Sequence, residues 1–174
     1  MRVALATLGA AIALALWLAP FHGFEAHMLR HAALVSVVPA LVALALPGTW
    51  APPVALAAGL EFAAAWGWHL PGAHAATMAS PALRALEQAT FLGAGLLVWW
   101  SAYTARPLAG TAALLGTMVH MTMLGAAILL APRVLYPGAT LDAQAVGAML
   151  MLATVTPCYL AGGLLLARRA LEPA

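Results

Sequence analysis

Residues 108–131 read LAGTAALLGTMVHMTMLGAAILLA, an apolar run that contains no Asp, Glu, Lys or Arg. A helix needs about 20 apolar residues to cross the hydrocarbon core of a bilayer, because each residue advances the helix by only about 1.5 Å. The run is therefore long enough to span a membrane. It is bounded by Arg106-Pro107 and Pro132-Arg133, where proline interrupts the helical hydrogen bonds.

The composition extends this prediction to the whole chain. Of its 174 residues, 65% are hydrophobic and 7% are charged, and the mean hydropathy is +0.98. Soluble domains carry about 25% charged residues, so we predict an integral membrane protein. The arginines are scattered singly and the net charge is only +2, which excludes a nucleic-acid-binding surface. The single cysteine, Cys158, excludes an intramolecular disulfide.

Proline, glycine and the few charged residues divide the chain into six apolar segments. We predict spans over about 3–20, 28–46, 52–69, 83–103, 108–131 and 141–167. The first segment has the basic start of a signal peptide but no clear Ala-x-Ala cleavage site, so we interpret it as a retained helix. The predicted fold is all-α, a single transmembrane bundle over residues 1–174 without a separate soluble domain.

The arginines predict the orientation of this bundle. Alternating crossings place Arg2, Arg106, Arg168 and Arg169 on one face and Arg30, Arg84 and Arg133 on the other. The positive-inside rule then puts both termini in the cytoplasm of a bacterial-type inner (plasma) membrane. Tryptophans fall near the predicted span ends, as interfacial aromatic residues do, at Trp50, Trp66, Trp68, Trp99 and Trp100.

Histidines gather at the other face in this topology. The five placed there, at the extracytoplasmic side, are His22, His27, His31, His69 and His74. His27 and His31 are four residues apart, so both imidazoles project from one side of a helix and can reach one ion, with the Met28 thioether as a third ligand. Imidazole and thioether together suit copper best among the physiological metals. His22 precedes the predicted helix, and we interpret it as structural.

Three further polar residues lie within the predicted spans. His120 is near the middle of the fifth span, and Glu61 reaches a comparable depth on the third, so the two can pair. Glu87 follows Arg84 by three residues and has two interpretations, an interfacial ion pair or a carboxylate that orients a ligand histidine. Cys158 is interpreted as a packing residue. The candidate metal ligands are His27, Met28, His31, His69, His74, Glu87 and His120.

The order of these motifs resembles a known family. Ala26-His27-Met28-Leu29-Arg30-His31, then Trp66-Gly67-Trp68-His69-Leu70-Pro71-Gly72, then Leu86-Glu87-Gln88 running to Trp99-Trp100, is similar to the CtaG-like cytochrome c oxidase assembly factors over residues 25–103. The resemblance implies a polytopic membrane protein that handles copper for the oxidase. It implies His27, Met28, His31 and His69 as motif positions. Where the family commonly has Glu-His, this chain has Glu87-Gln88.

The sequence thus favours a copper-binding assembly factor, a metallochaperone rather than an enzyme. It would hold copper on extracytoplasmic histidines and pass it to a cytochrome c oxidase subunit, with membrane lipid as its surroundings. Two alternatives remain open. One is a haem-binding membrane electron carrier with histidines on facing helices as axial ligands. The other is a small transporter or proton relay that uses Glu61 and His120.

Overall fold

The computed structural model describes residues 2–18, 23–46, 48 and 50–172, and these residues form seven helices and no strand. The helices are α1 Arg2–Leu18, α2 Phe24–Ala45, α3 Val54–Trp68, α4 Pro71–Ala79, α5 Pro81–Thr104, α6 Pro107–Leu129 and α7 Leu141–Leu171. The all-α prediction is confirmed. Three helices, α2, α6 and α7, are long and apolar enough to cross a membrane, whereas α1 and α3 are apolar but shorter.

The helix starts follow from local sequence. Pro71, Pro81 and Pro107 begin α4, α5 and α6. Proline is favoured in the first turn because its missing N–H would have no helical partner there. The side chains of Ser80 and Thr140 cap α5 and α7 by accepting hydrogen bonds from backbone N–H groups three residues later.

Two differences from the predicted segments bear on the positions of the histidines. α2 begins at Phe24, four residues before the predicted start of the second span, so His27 lies within the helix. The segment between the third and fourth predicted spans contains a short helix of its own, α4, which the hydrophobic pattern does not indicate. His22 and residues 19–20 of the first predicted span lie outside the described residues.

Contacts between residues of neighbouring helices show the relative directions of these helices. α6 and α7 are antiparallel neighbours: Gly125 lies against Leu152, and the hydroxyl groups of Thr122 and Thr156 are 3.1 Å apart. α2 and α5 run parallel, with His31 beside Phe91 and the backbone of Val35 beside Gly95. The N-terminal ends of α2, α5 and α7 therefore lie at the same end of the bundle as the C-terminal ends of α3 and α6. α1 packs mainly on the second half of α2.

A π turn at Ala33–Val37 interrupts α2. Pro39 has no N–H to donate to the Val35 carbonyl, and its ring would crowd that oxygen in a regular α-helix. The wider turn accommodates the proline, and the Val38 N–H bonds the Ala33 carbonyl instead. The Tyr159 hydroxyl of α7 donates to the released Val35 oxygen at 2.8 Å. A buried backbone acceptor is thereby satisfied from a different helix.

The prediction that the tryptophans lie at the membrane interface holds only in part. Trp50 is well exposed, as an interfacial residue would be. Trp99 is buried, and its ring stacks on that of Tyr159 with the centroids 5.4 Å apart. The interfacial interpretation is therefore wrong for Trp99, because the close packing of α5 on α7 encloses its ring.

Candidate metal centre

Five ionisable side chains converge at the end of the bundle where α2 and α5 begin and α3 ends. They are His27 and His31 on α2, His69 directly after α3, His74 on α4 and Glu87 on α5. All five are buried, and Glu87 is completely so. Charged groups are rarely enclosed in this way unless they are paired or bind an ion. The cluster therefore requires a chemical explanation.

Glu87 contacts both histidines of α2. The ring centroids of His27 and His31 are 3.9 Å apart, because residues separated by four positions stack along one face of a helix. The Nε2 atom of His27 is 3.6 Å from one Glu87 oxygen, and that of His31 is 3.2 Å from the other. This contact agrees with the interpretation in which Glu87 orients ligand histidines. Arg84 instead donates to the backbone carbonyls of Thr77 and Met78.

His27, His74 and Glu87 have the geometry of a metal site. One ligand atom from each residue can be chosen so that all three lie within 4.8 Å of one another. The ring centroids of His27 and His74 are 4.7 Å apart. Burial lowers the pKa of His74 to about 4, with a smaller contribution from His27. His74 is therefore neutral at pH 7, which is the form of imidazole that binds metals.

His69 is held in a single tautomer. Its Nδ1 lies 2.6 Å from the carbonyl oxygen of Ala65, so Nδ1 carries the hydrogen and donates it. The lone pair is then on Nε2. Metal-binding histidines commonly donate their second ring N–H to a backbone carbonyl in this way. The His69 ring lies 5.9 Å from that of His31, at the edge of the cluster.

Several polar atoms of the cluster have no hydrogen-bond partner among the described residues. They are Nε2 of His27, both ring nitrogens of His31, Nε2 of His69 and both oxygens of Glu87. An unsatisfied buried polar atom costs roughly 1–3 kcal/mol. Because a neutral imidazole has one N–H and one lone pair, up to five of these atoms can donate an electron pair: one nitrogen of each histidine and the two oxygens of Glu87. They fit a group that accepts electron pairs from nitrogen and oxygen. A metal ion is such a group.

A cavity of about 340 Å³ opens beside the cluster. His27 and His74 line it, together with Arg30, Arg84 and Gly138. Two of the three residues with metal-site geometry therefore face a space large enough for an incoming ligand.

Two of the sequence-predicted ligands lie elsewhere. Met28 is buried against α7, where a Cβ at Gly147 would lie 3.0 Å from the Met28 Cγ. His120 is paired with Glu61 at 2.7 Å, midway along α6 and α3, which confirms the predicted contact between these two residues. Glu61 precedes His69 by eight residues, so the pair is about 12 Å from the cluster along α3.

Tyr136 is a part of the site that the sequence analysis missed. Its hydroxyl donates to the backbone oxygen of His69 at 3.0 Å, and its ring packs on Phe24 and His74, both at 4.8 Å between centroids. Burial raises the pKa of Tyr136 to about 12, so the hydroxyl keeps its proton. One signal in the sequence could have identified this residue. Tyr136 begins a Tyr-Pro-Gly turn between the fifth and sixth predicted spans, on the face of the bundle where the histidines are predicted to gather.

Tyr136→Phe should destabilise the protein by about 1 kcal/mol, since it removes one hydrogen bond and keeps the ring. Metal affinity should fall less than ten-fold, because His69 keeps its bond to Ala65. Thermal unfolding and metal competition measure the two effects. An unchanged melting temperature would contradict a role for the hydroxyl in holding His69.

Comparison with known protein families covers α3 to α7. The profile of the cytochrome c oxidase caa3 assembly factor family (Caa3_CtaG) matches residues 50–172, more than half of the chain. Comparisons with curated proteins and with solved structures give no significant match. The matched range contains His69, His74 and Glu87 and begins after α2. The chain belongs to the cytochrome c oxidase caa3 assembly factor family.

Proposed function

We propose that this assembly factor is a membrane metallochaperone that binds copper and passes it to a subunit of cytochrome c oxidase. Copper is here the cargo of the protein and not a resident cofactor. The observation that carries the proposal is the set of buried nitrogen and oxygen atoms on His27, His31, His69 and Glu87 that have no hydrogen bond of good geometry, next to His74.

The donor set suits this cargo. Neutral imidazoles bind copper well, and the Glu87 carboxylate supplies a negative charge that offsets the charge of the ion in a buried position. Because Met28 packs against α7, the ligands would be nitrogen and oxygen, without a thioether. The choice of copper over zinc is supported by the motif resemblance to copper-handling assembly factors.

Transfer would proceed by ligand exchange through the cavity. His27 and His74 line it, whereas Glu87 does not. A donor atom from the partner would first replace the imidazoles that line the cavity. The ion would then be released from Glu87 as new bonds form. A stepwise exchange of this kind never exposes the free ion to water.

We also propose that the bundle crosses the membrane six times, with both termini in the cytoplasm and the cluster at the extracytoplasmic side. Its support is the grouping of arginines at opposite ends of the helices. Arg30 and Arg84 line the cavity beside the cluster, whereas Arg106 and Arg169 lie together at the other end. An extracytoplasmic cluster would meet oxidase domains on that side.

His74→Ala should lower the affinity for copper about ten-fold, because it removes one of the proposed ligands. Alanine already occupies four of the nine positions of α4, so the helix itself should be retained. The full chain is purified anaerobically in detergent, its copper, iron and zinc are quantified, and copper(I) affinity is measured by competition with a chelator.

Met28→Leu is the matched control. It changes a buried α2 residue adjacent to His27, retains most of its volume and should keep the copper. Copper bound equally by wild type and His74→Ala, or lost equally in both variants, would contradict the proposed ligand set. A Soret band in the purified protein would support the haem-carrier alternative instead.

A further inference from the structure

Glu61 and His120 form a second polar site in the middle of the bundle. Glu61 is at the centre of α3, His120 is at the centre of α6, and the Oε2 and Nε2 atoms are 2.7 Å apart. Glu61 has no exposed surface. The surroundings are apolar, and the Phe62 ring lies 5.1 Å from the imidazole. The pair is thus separate from the metal centre and outside its chemistry.

Each partner also has an atom left over. Oε1 of Glu61 and Nδ1 of His120 are buried and have no hydrogen-bond partner among the described residues. A contact that served only to join α3 to α6 needs one hydrogen bond, and the two extra atoms cost roughly 1–3 kcal/mol each. The two atoms lie on either side of the same short hydrogen bond, one on each residue. This arrangement points to a site that can take up a small cation at one residue and release one at the other.

The charge of the pair identifies what is exchanged. A carboxylate beside a neutral imidazole has a net charge of −1, which is unfavourable in apolar surroundings. One added proton makes the pair neutral, whether it resides on Oε2 or on Nε2. Two protein ligands of this type are too few for a buried metal ion, and the described residues offer no third His, Cys, Asp or Glu there.

Other ionisable groups near the pair do not provide this proton. Tyr159 of α7 lies within electrostatic range of Glu61, but its hydroxyl already donates to the Val35 carbonyl. Cys158, its neighbour, is partly buried and free of any disulfide. Exchange would then involve water at the two open atoms of the pair.

We propose that Glu61 and His120 bind one exchangeable proton inside the bundle and pass it between α3 and α6. In the neutral pair, Oε2 of Glu61 carries the added proton and Nδ1 of His120 carries the imidazole hydrogen. A proton from hydronium adds at Oε1 while the Oε2 proton passes to Nε2 and the Nδ1 proton leaves to water, so the pair is neutral before and after the transfer. One proton enters and one leaves, and reversal of the imidazole tautomer and carboxyl orientation resets the pair.

Infrared difference spectroscopy on the full chain in lipid nanodiscs tests this proposal. Stepping the pH should reveal the carbonyl stretch of a buried carboxylic acid, and D₂O should shift that band. The band should be absent in Glu61→Gln and displaced in His120→Asn. Asp142→Asn, which removes a carboxylate from the exposed first turn of α7, should keep it.

The outcomes separate exchange from a structural contact. Absence of a carboxylic acid band at every pH, a band insensitive to D₂O or a band that persists in Glu61→Gln would each overturn the proposal. The infrared result does not depend on the proposed copper function, because the pair lies outside the candidate metal centre. If the wild type binds copper, Glu61→Gln should bind it equally well. If Glu61→Gln fails to fold, two other measurements test the proposal: the D₂O shift of the band in the wild type and the displacement of the band in His120→Asn.

Discussion

Glu87→Gln should lower the affinity for copper by roughly 100-fold, the largest effect of any single substitution in the cluster. The carboxylate contacts both His27 and His31, and it is completely buried. Glutamine has nearly the same shape but no negative charge, so the positive ion would lose its counter-charge while the packing of α5 is retained. Chelator competition with copper(I) measures the affinity.

Glu25→Gln provides the matched control for this measurement. It also removes one carboxylate from α2 at the same end of the bundle, but Glu25 is outside the cluster. Its copper affinity should remain within a factor of about two, as expected for a partly exposed charge screened by solvent. Equal losses in the two variants would show that only the overall charge matters, and that Glu87 has no specific place in the site.

Gly95→Ala should destabilise the protein by about 2 kcal/mol, which corresponds to a fall in Tm of roughly 4–8 °C for a chain of this size. A Cβ at this position would overlap the Val35 carbonyl oxygen and lie 2.7 Å from the Pro39 ring. Backbone cannot move aside as a flexible side chain can. α2 and α5 would separate, and copper affinity should also fall, because these helices carry His31 and Glu87.

Gly93→Ala isolates the steric effect. Gly93 is on the same helix, and no atom lies within 4 Å of a Cβ built there. Alanine is a better helix former than glycine by about 1 kcal/mol, so this variant should be as stable as the wild type or more stable. Thermal unfolding in one detergent compares the two. Similar melting temperatures for both variants would mean that α2 and α5 do not approach closely at Gly95.

Local patterns predict much of the fold. Apolar runs bounded by proline identify the long helices, since a membrane span needs length and low charge above all. The hydrophobic pattern gives no indication of α4, because its nine residues are too few to show a periodic apolar face. The early start of α2 is missed for a related reason, since Glu25, His27 and Arg30 make its first turns polar.

Part of the candidate metal centre is predictable in the same way, and so is the buried pair of Glu61 and His120. His27 and His31 are brought together by helical spacing alone, and the depth of Glu61 and His120 indicates their contact. The approach of His74 to His27 depends on how α4 folds back onto α2, a long-range contact that no spacing indicates. Met28 is adjacent to His27 in sequence, yet one helical step turns its side chain towards α7.

The π turn at Ala33–Val37 links Pro39 to the angular position of the histidines. A turn of this kind contains one residue more than an α-helical turn, and each α-helical residue corresponds to a rotation of about 100°. Wound as a regular α-helix, the same residues between His31 and Pro39 would therefore turn both imidazoles by about 100° around the helix axis, away from Glu87. A proline located in the apolar half of α2 thus sets the direction in which the imidazoles of the polar half point.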